Sequence, residues 1–413
     1  MTLAPAKRLD LSLAPCEAAR RLSKLPGCVF LDSSDLGANA PRLSIVAAEP
    51  THIYRGNLHR DVSQLREIIS AHAPKAPIDC GYPLGGLLGH VSYDGDYLFG
   101  EYNDLLVYHH HEACWHVAGT PSYLAQLTRP GKESLDLTLR PALDFQTEMS
   151  RQEFITIVEQ AQEWIAAGDI YQVNLAHRFQ APRQANDAAF DRYERLRSIS
   201  PAPYSAFLNI GGQQILSTSP ECFLRMSGQS ISTRPIKGTR PRFSDPLLDE
   251  QSAYDLITSE KEVSELVMIT DLERNDLGQL CEYGSVEARD LLTLERFAQV
   301  FHLVSTVSGT LRSDIDHFEA LRRCFPGGSI TGAPKKRARE IIDFLEPRPR
   351  GLYTGAIGYI GWNGESQFNI AIRTLVGEQD HWHFHVGAGI VADSNPEAEY
   401  EETLHKAAGI LKA

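Results

Sequence analysis

The sequence has no long apolar run, no C-x-x-C pair and no cysteine set between glycines as G-x-C-x-G. A transmembrane helix needs about 20 consecutive apolar residues, so none is expected and no membrane partner is implied. The opening stretch, MTLAPAKRLDLSLAPCEAARRLSK, carries charges every few positions and lacks an apolar h-region, so it does not read as a secretory leader. Cys16, Cys28, Cys80, Cys114, Cys222, Cys281 and Cys324 are scattered and odd in number. That pattern argues against a zinc ribbon or disulfide framework and fits a reducing cytoplasm. Without a G-x-C-x-G setting, a glutaminase nucleophile is not expected in the chain. Basic charge is also short: 40 Lys and Arg face 53 Asp and Glu, a net charge of −13. Such a chain is a poor general binder of nucleic acid or anionic membrane, and an anionic substrate would need local cations or a bound metal.

What is present is ordinary for a globular protein: 413 residues, 42% hydrophobic and 23% charged, enough for a large core. The clearest seam is at 128–150, a polar stretch punctuated by proline. It suggests a lead-in region over 1–145 and a second region over 146–413. Ser150 and Glu153 form an S-x-x-E capping box, Phe154, Ile157, Val158, Ala161 and Ile165 recur at helical spacing, and Gly168 supplies a stop. Further helices are expected at about 246–272, 316–324, 334–345 and 397–412. GCVFLD, RLSIVAA, GGLLGHVSYD, YQVNLAHRF, QQILSTS, ISTRPI, GAIGYIGW, NIAIRTLV and HWHFHVGAGIV read as strands. Most follow one another at hairpin-length gaps. The fold class is therefore α+β, with mainly antiparallel sheets in a two-layer core flanked by helices.

Several residues could carry chemistry. Glu262 and Glu265 are three apart on one predicted helix, and Glu399 and Glu402 repeat the spacing on the last one. If those faces meet, four hard oxygen ligands surround one point and suit Mg2+; the bland alternative is two solvated helix faces. Lys237 ends a strand in RPIKGTRPR. It is either a nucleophile or a solvated loop cation, and as a nucleophile it needs help to lose its proton, for which Arg234 and Arg240 are the local cations. FPGGSITGAP precedes a helix, with Pro334 placed at its first turn; its amides either bind an anion or merely enter the helix. Gly387, Ala388 and Gly389 end a strand just before the Glu399 helix, either as a strand-end bulge or as a close approach to a ligand. Arg373 and Lys406 offer cations to carboxylates or to surface ion pairs.

In order along the chain, GDIYQVNLAHRF, STSPECF, RPIKGTRPR, EKEVSELVMITDLERNDLG, FHLVSTVSGTL, FPGGSITGAPKKRA, GLYTGAIGYIG, NIAIRT and VGAGIVADSNPEAEYEETLHK resemble the chorismate-utilising enzymes. These are the anthranilate, aminodeoxychorismate, isochorismate and salicylate synthases. The resemblance runs from about residue 150 to the C-terminus and is weaker before it. It implies that Glu262, Glu265, Glu399 and Glu402 hold Mg2+. It places Arg373, Tyr353, Lys406 and the backbone of Gly387, Ala388 and Gly389 at chorismate's carboxylates. Glu221 falls at the position of the general acid for the departing C4 hydroxyl, and Thr239 and His302 at the ring pocket. Leu31–Ser34 and Ser200–Tyr204 match the family's buried tryptophan site loosely, and a plain strand-and-turn role suits them equally.

Two positions choose among members. Where isochorismate and salicylate synthases resemble one another in keeping a water-activating lysine, this chain has Gln172, which cannot act as that base. Where anthranilate synthases read PIAGT, it reads PIKGT, similar to aminodeoxychorismate synthases. The resemblance thus implies amination at C4 through a covalent bond to Lys237, giving 4-amino-4-deoxychorismate for p-aminobenzoate and folate. The ammonia would be free or come from a separate glutamine amidotransferase subunit. The rival expectations are an anthranilate synthase large subunit and a non-catalytic subunit that keeps the fold.

Overall fold

The computed structural model describes residues 6–35, 42–76, 78–128, 142–184 and 187–413. Most of the seam expected at 128–150 lies outside the described residues. At its end the capping box forms as expected. The Ser150 hydroxyl accepts the Glu153 amide, the Glu153 carboxylate accepts the Ser150 amide at 2.7 Å, and the helix Arg151–Ala166 follows. Gly168, at φ +82°, turns the chain out of it. The buried face is Phe154, Ile155, Val158 and Ala161, with Ile157 and Ile165 only partly covered.

One expected helix is two. Over 246–272 the chain forms Pro246–Ile257 and then Glu260–Gly278, because the Ser259 side chain accepts the Glu262 amide and starts a new helix. The helices His317–Cys324, Lys335–Leu345 and Pro396–Leu411 lie where periodicity puts them, although Pro334 is the N-cap of its helix, not its first residue. NIAIRTLV is broken as well. One strand ends at Ile370 and the next starts at Thr374, with Arg373 between them at φ +50°.

Two large antiparallel sheets, of 12 and 10 strands, face each other. Each draws strands from before and after residue 146. In the first, Cys28–Asp32 pairs with Tyr204–Ile210; in the second, Gly86–Val91 pairs with Ala356–Gly361. Alternation along the strands builds the layers. Val29 and Leu208 point into the inter-sheet core with Leu88, Leu98 and Ile357. Phe30 and Phe207 point the other way, under the helices Pro15–Leu22 and Ala189–Ile199. The outer face of the second sheet is covered around Leu65 and Phe318 by the helices Ser63–His72 and His317–Cys324. This is the expected α+β arrangement of two sheet layers flanked by helices. Among the described residues no helix is long and apolar enough to cross a membrane.

A buried ion pair ties the first sheet to the loop ahead of the Lys335 helix. Arg350 donates to Glu346 at 2.9 and 2.7 Å, to the Asn174 carbonyl at 2.6 Å and to the Ile330 carbonyl at 3.0 Å. Glu346 in turn accepts the Ala176 amide at 2.9 Å. Glu346→Ala leaves this guanidinium buried without its counter-charge, at a cost of about 3–5 kcal/mol. Denaturant titration should show a clearly lower unfolding midpoint, and an unchanged one would refute the account.

Candidate active site

The strand Ile236–Pro241 borders the main cleft and is bulged between Lys237 and Thr239. Gly238 makes the bulge at φ +70°, and a Cβ there would lie 2.5 Å from Leu256 and 3.0 Å from Glu262. Both Lys237 and Thr239 therefore line a cleft of about 960 Å³, in the range of small-molecule sites. The cleft also takes in Glu221, Glu262, Glu265, His302, Tyr353, Arg373, Gly387, Gly389, Glu402 and Lys406. These residues come from two helices, both sheets and three loops, and they include most of the positions singled out in the sequence.

Lys237 and Glu221 meet through Ser329. The Lys237 ammonium donates to the Ser329 carbonyl at 3.4 Å and lies 4.0 Å from the Glu265 carboxylate. The Ser329 hydroxyl donates to Glu221 at 2.7 Å. Burial pushes the Glu221 carboxyl above the usual range, against the opposing pull of that hydrogen bond and of the Lys237 charge. A carboxyl so placed keeps its proton more readily, which is what a general acid requires. Deeper along the same helix face as Glu265, Glu273 accepts from Thr233 at 2.9 Å and is raised well above the ordinary value by burial and by Glu221.

Each glutamate of the expected metal set is paired with a cation. Arg240 donates to Glu262 at 3.1 Å, Lys237 faces Glu265, Lys261 donates to Glu399 at 3.2 Å and Lys406 donates to Glu402 at 2.7 Å. Burial raises Glu265 against the pull of Lys237 and Lys261. Burial also pushes on Glu402, but there the charges of Lys406, Lys261 and Lys237 outweigh it and hold the carboxyl low. Among the described residues these four carboxylates do not bring three oxygens within 4.8 Å of one another. The donor set nevertheless fits a hard dication, since all four ligands are oxygen and the Glu399 Oε2 is buried with no hydrogen-bond partner.

The opposite wall is suited to anions. Among the described residues the Arg373 guanidinium makes no ion pair or hydrogen bond; burial lowers its pKa, and the Glu221 charge offsets this in part. Lys406 donates to the Gly387 carbonyl at 3.0 Å. Gly387 and Gly389 admit close neighbours: a Cβ at Gly387 would stand 2.6 Å from the Leu175 carbonyl and 2.8 Å from the Tyr353 hydroxyl, and one at Gly389 would stand 2.5 Å from Gln172 Nε2 and 3.8 Å from the Lys237 nitrogen. Ala388 points the other way, into the core with Phe154 and Val158. The Gln172 side chain lies behind Gly389, fully buried, its Oε1 without a partner. His302 Nδ1 is 3.2 Å from the Gly238 carbonyl and 3.1 Å from Thr239 Oγ1; burial, reinforced by Arg373, lowers the ring's pKa to about 4 and keeps it neutral.

Ser329, Lys261 and Glu273 were not singled out in the sequence. Lys261 adjoins Glu262 in the same helical motif, and Glu273 follows Glu265 at helical spacing, so both had a signal; Ser329, inside a glycine-rich loop, had none beyond its place there. Arg234 is paired with Glu295, and Arg240, which lines the same cleft as Lys237, is paired with Glu262. The stretches around Leu31–Ser34 and Ser200–Tyr204 do meet, around a small cavity lined by Leu31, Asp32, Ser33, Pro203 and Tyr204.

Comparison with known proteins agrees with this geometry. The family described as "chorismate binding enzyme" matches residues 80–412. Anthranilate synthase component 1 1 of Haloarcula marismortui is 44% identical over 269 residues, 65% of this chain and 55% of that protein. The chain thus spans little more than half the length of that curated relative. Aminodeoxychorismate synthase component 1 of Bacillus subtilis is 38% identical over 362 residues, 80% of this chain and 77% of its own. The crystal structure of anthranilate synthase component I from Streptococcus pneumoniae superimposes with a TM-score of 0.79 at 30% identity, covering 91% of this chain and 93% of that one. The chain belongs to the chorismate-binding enzyme family.

Proposed function

We propose that the chain aminates chorismate at C4, as component 1 of an aminodeoxychorismate synthase, and so supplies p-aminobenzoate for folate. The observation that carries this reading is the place of Lys237. Its amine lines the cleft, joined through Ser329 to a buried carboxyl that favours its protonated form. Arg373, Tyr353, Lys406 and the open backbone of Gly387 to Gly389 would hold the two carboxylates of the substrate, the unpaired Arg373 offering the bidentate fork. Glu262, Glu265, Glu399 and Glu402 would hold Mg2+, which when bound supplies positive charge against the ring carboxylate.

In its neutral form the Lys237 amine attacks C2 while Glu221 gives a proton to the C4 hydroxyl, which leaves as water as the ring double bond shifts. Ammonia then adds at C4, the bond between C2 and the lysine nitrogen breaks, and the amine is restored. In sum, chorismate and ammonia give 4-amino-4-deoxychorismate and water, with the enolpyruvyl group kept. The neutral His302 and Thr239 shape the ring pocket. Ammonia would be free or delivered by a glutamine amidotransferase subunit.

Product analysis after incubation with chorismate, Mg2+ and ammonium salt tests this reading. The C4-aminated product is expected without pyruvate; fluorescent anthranilate with pyruvate would assign the chain to the other branch, and no turnover at all would favour a binding subunit. Lys237→Ala should abolish the product, and unchanged kinetics would rule out the covalent role. Glu221→Gln should lower kcat by about 10²–10⁴-fold, the usual worth of a positioned acid. Chelation with EDTA should stop turnover and added Mg2+ restore it. Glutamine in place of ammonium should yield nothing from the isolated chain.

A further inference from the structure

Far from the cleft in sequence, the hairpin of Leu105–His109 and Cys114–Ala118 reads His-His-His-Glu-Ala-Cys-Trp-His over residues 109–116. Its register places His109 directly opposite Cys114. Directly opposed residues share a face, and so do Cys114 and His116, two apart on one strand. Trp115 faces the helix-covered core, and His110 turns away to bond Ser44 at 2.8 Å. The turn, with Ala113 at φ +49°, brings Glu112 back over the same face.

The donor atoms there are close. Cys114 Sγ is 3.4 Å from Glu112 Oε2 and 4.0 Å from His116 Nδ1, and all three lie within 4.8 Å of one another. Around a tetrahedral ion with bonds of about 2.0–2.3 Å, ligand atoms stand roughly 3.3–3.6 Å apart, so only a small contraction is needed. The His109 ring centroid is 4.9 Å from that of His116; its nitrogens lie outside the group of three and would have to turn in, and its Nε2 is shielded from solvent and has no hydrogen-bond partner. Tyr82 packs against both rings, at 5.0 and 5.7 Å. Arg8 lies opposite His116 on the neighbouring strand and is exposed, free to turn to solvent.

We propose that Glu112, Cys114 and His116, with His109 as fourth donor, form a closed structural site for a thiol-seeking divalent cation of the zinc type. Thiolate and imidazole ligands favour such an ion over Mg2+, and four protein ligands leave no open position for catalysis. Binding releases the Cys114 thiol proton as the metal–sulfur bond forms. Dication, thiolate and carboxylate then sum to zero charge. A second cluster, Glu378, His381 and His383, does not qualify: His381 Nδ1 is held by Asp380 at 2.7 Å and its Nε2 by Arg178 at 3.0 Å.

Cobalt(II), added to the chelator-treated full chain, is the probe. The expected result is a thiolate-to-cobalt charge-transfer band that saturates at one equivalent, disappears when Zn2+ is added, and is lost in Cys114→Ser and His116→Ala. Cobalt held by the glutamates of the cleft would give no thiolate band, so the two sites are distinguished. If Cys114→Ser does not fold, His116→Ala decides. Absence of the band in the parent chain, or its survival in either folded variant, overturns the site.

Discussion

Charge balance in the cleft is the constraint on which the rest depends. Three carboxylates from two helices, Glu262, Glu265 and Glu402, line one partly buried space, with Glu399 beside it, and like charges that close cannot all remain ionised without compensation. The compensation comes from four cations on one strand and the two helices, Arg240, Lys237, Lys261 and Lys406, each with its own glutamate. One of these pairs, Lys261 with Glu399, joins the helices Glu260–Gly278 and Pro396–Leu411. A dication taken up between them competes with those ammonium groups, and an incoming dicarboxylate gives the displaced positive charge a new partner.

Much of this was legible in the sequence because it is local. Helical spacing put Glu262 beside Glu265 and Glu399 beside Glu402, and the Ser150 capping box fixed a helix start to the residue. What failed was what depends on distant partners. Ser259 inside an apolar-periodic stretch looks like one more helical residue until its side chain takes an amide and starts a second helix. Arg234 and Arg240 adjoin Lys237 in the chain, yet Glu295 and Glu262 claim them from elsewhere. Motif resemblance marked the whole run of Gly387 to Gly389, while strand alternation turns only the two glycines toward the cleft.

The placement of Lys237 shows how fold and chemistry interlock. A regular strand passing this edge would have no reason to break step between Lys237 and Thr239. The glycine bulge adds one residue, and it fits only because nothing larger than hydrogen is present where Leu256 and Glu262 approach. The amine then rests on the Ser329 carbonyl, 92 residues further along the chain, next to the hydroxyl that holds Glu221. Sheets that mix early and late strands make such meetings routine, at the expense of folding speed, since sequence-distant pairings form late.

Arg373 sits in the left-handed backbone region, where a non-glycine residue carries a strain of about 1–3 kcal/mol. Its guanidinium is also partly buried and without a hydrogen bond among the described residues, with the Glu221 charge offsetting the burial only in part. Glycine at this position would relieve both burdens, and the Thr218 amide bonded to its carbonyl would lose nothing. Selection for thermal robustness alone would therefore erode this corner first. An anion seated there would give the guanidinium the hydrogen-bonded partner it lacks.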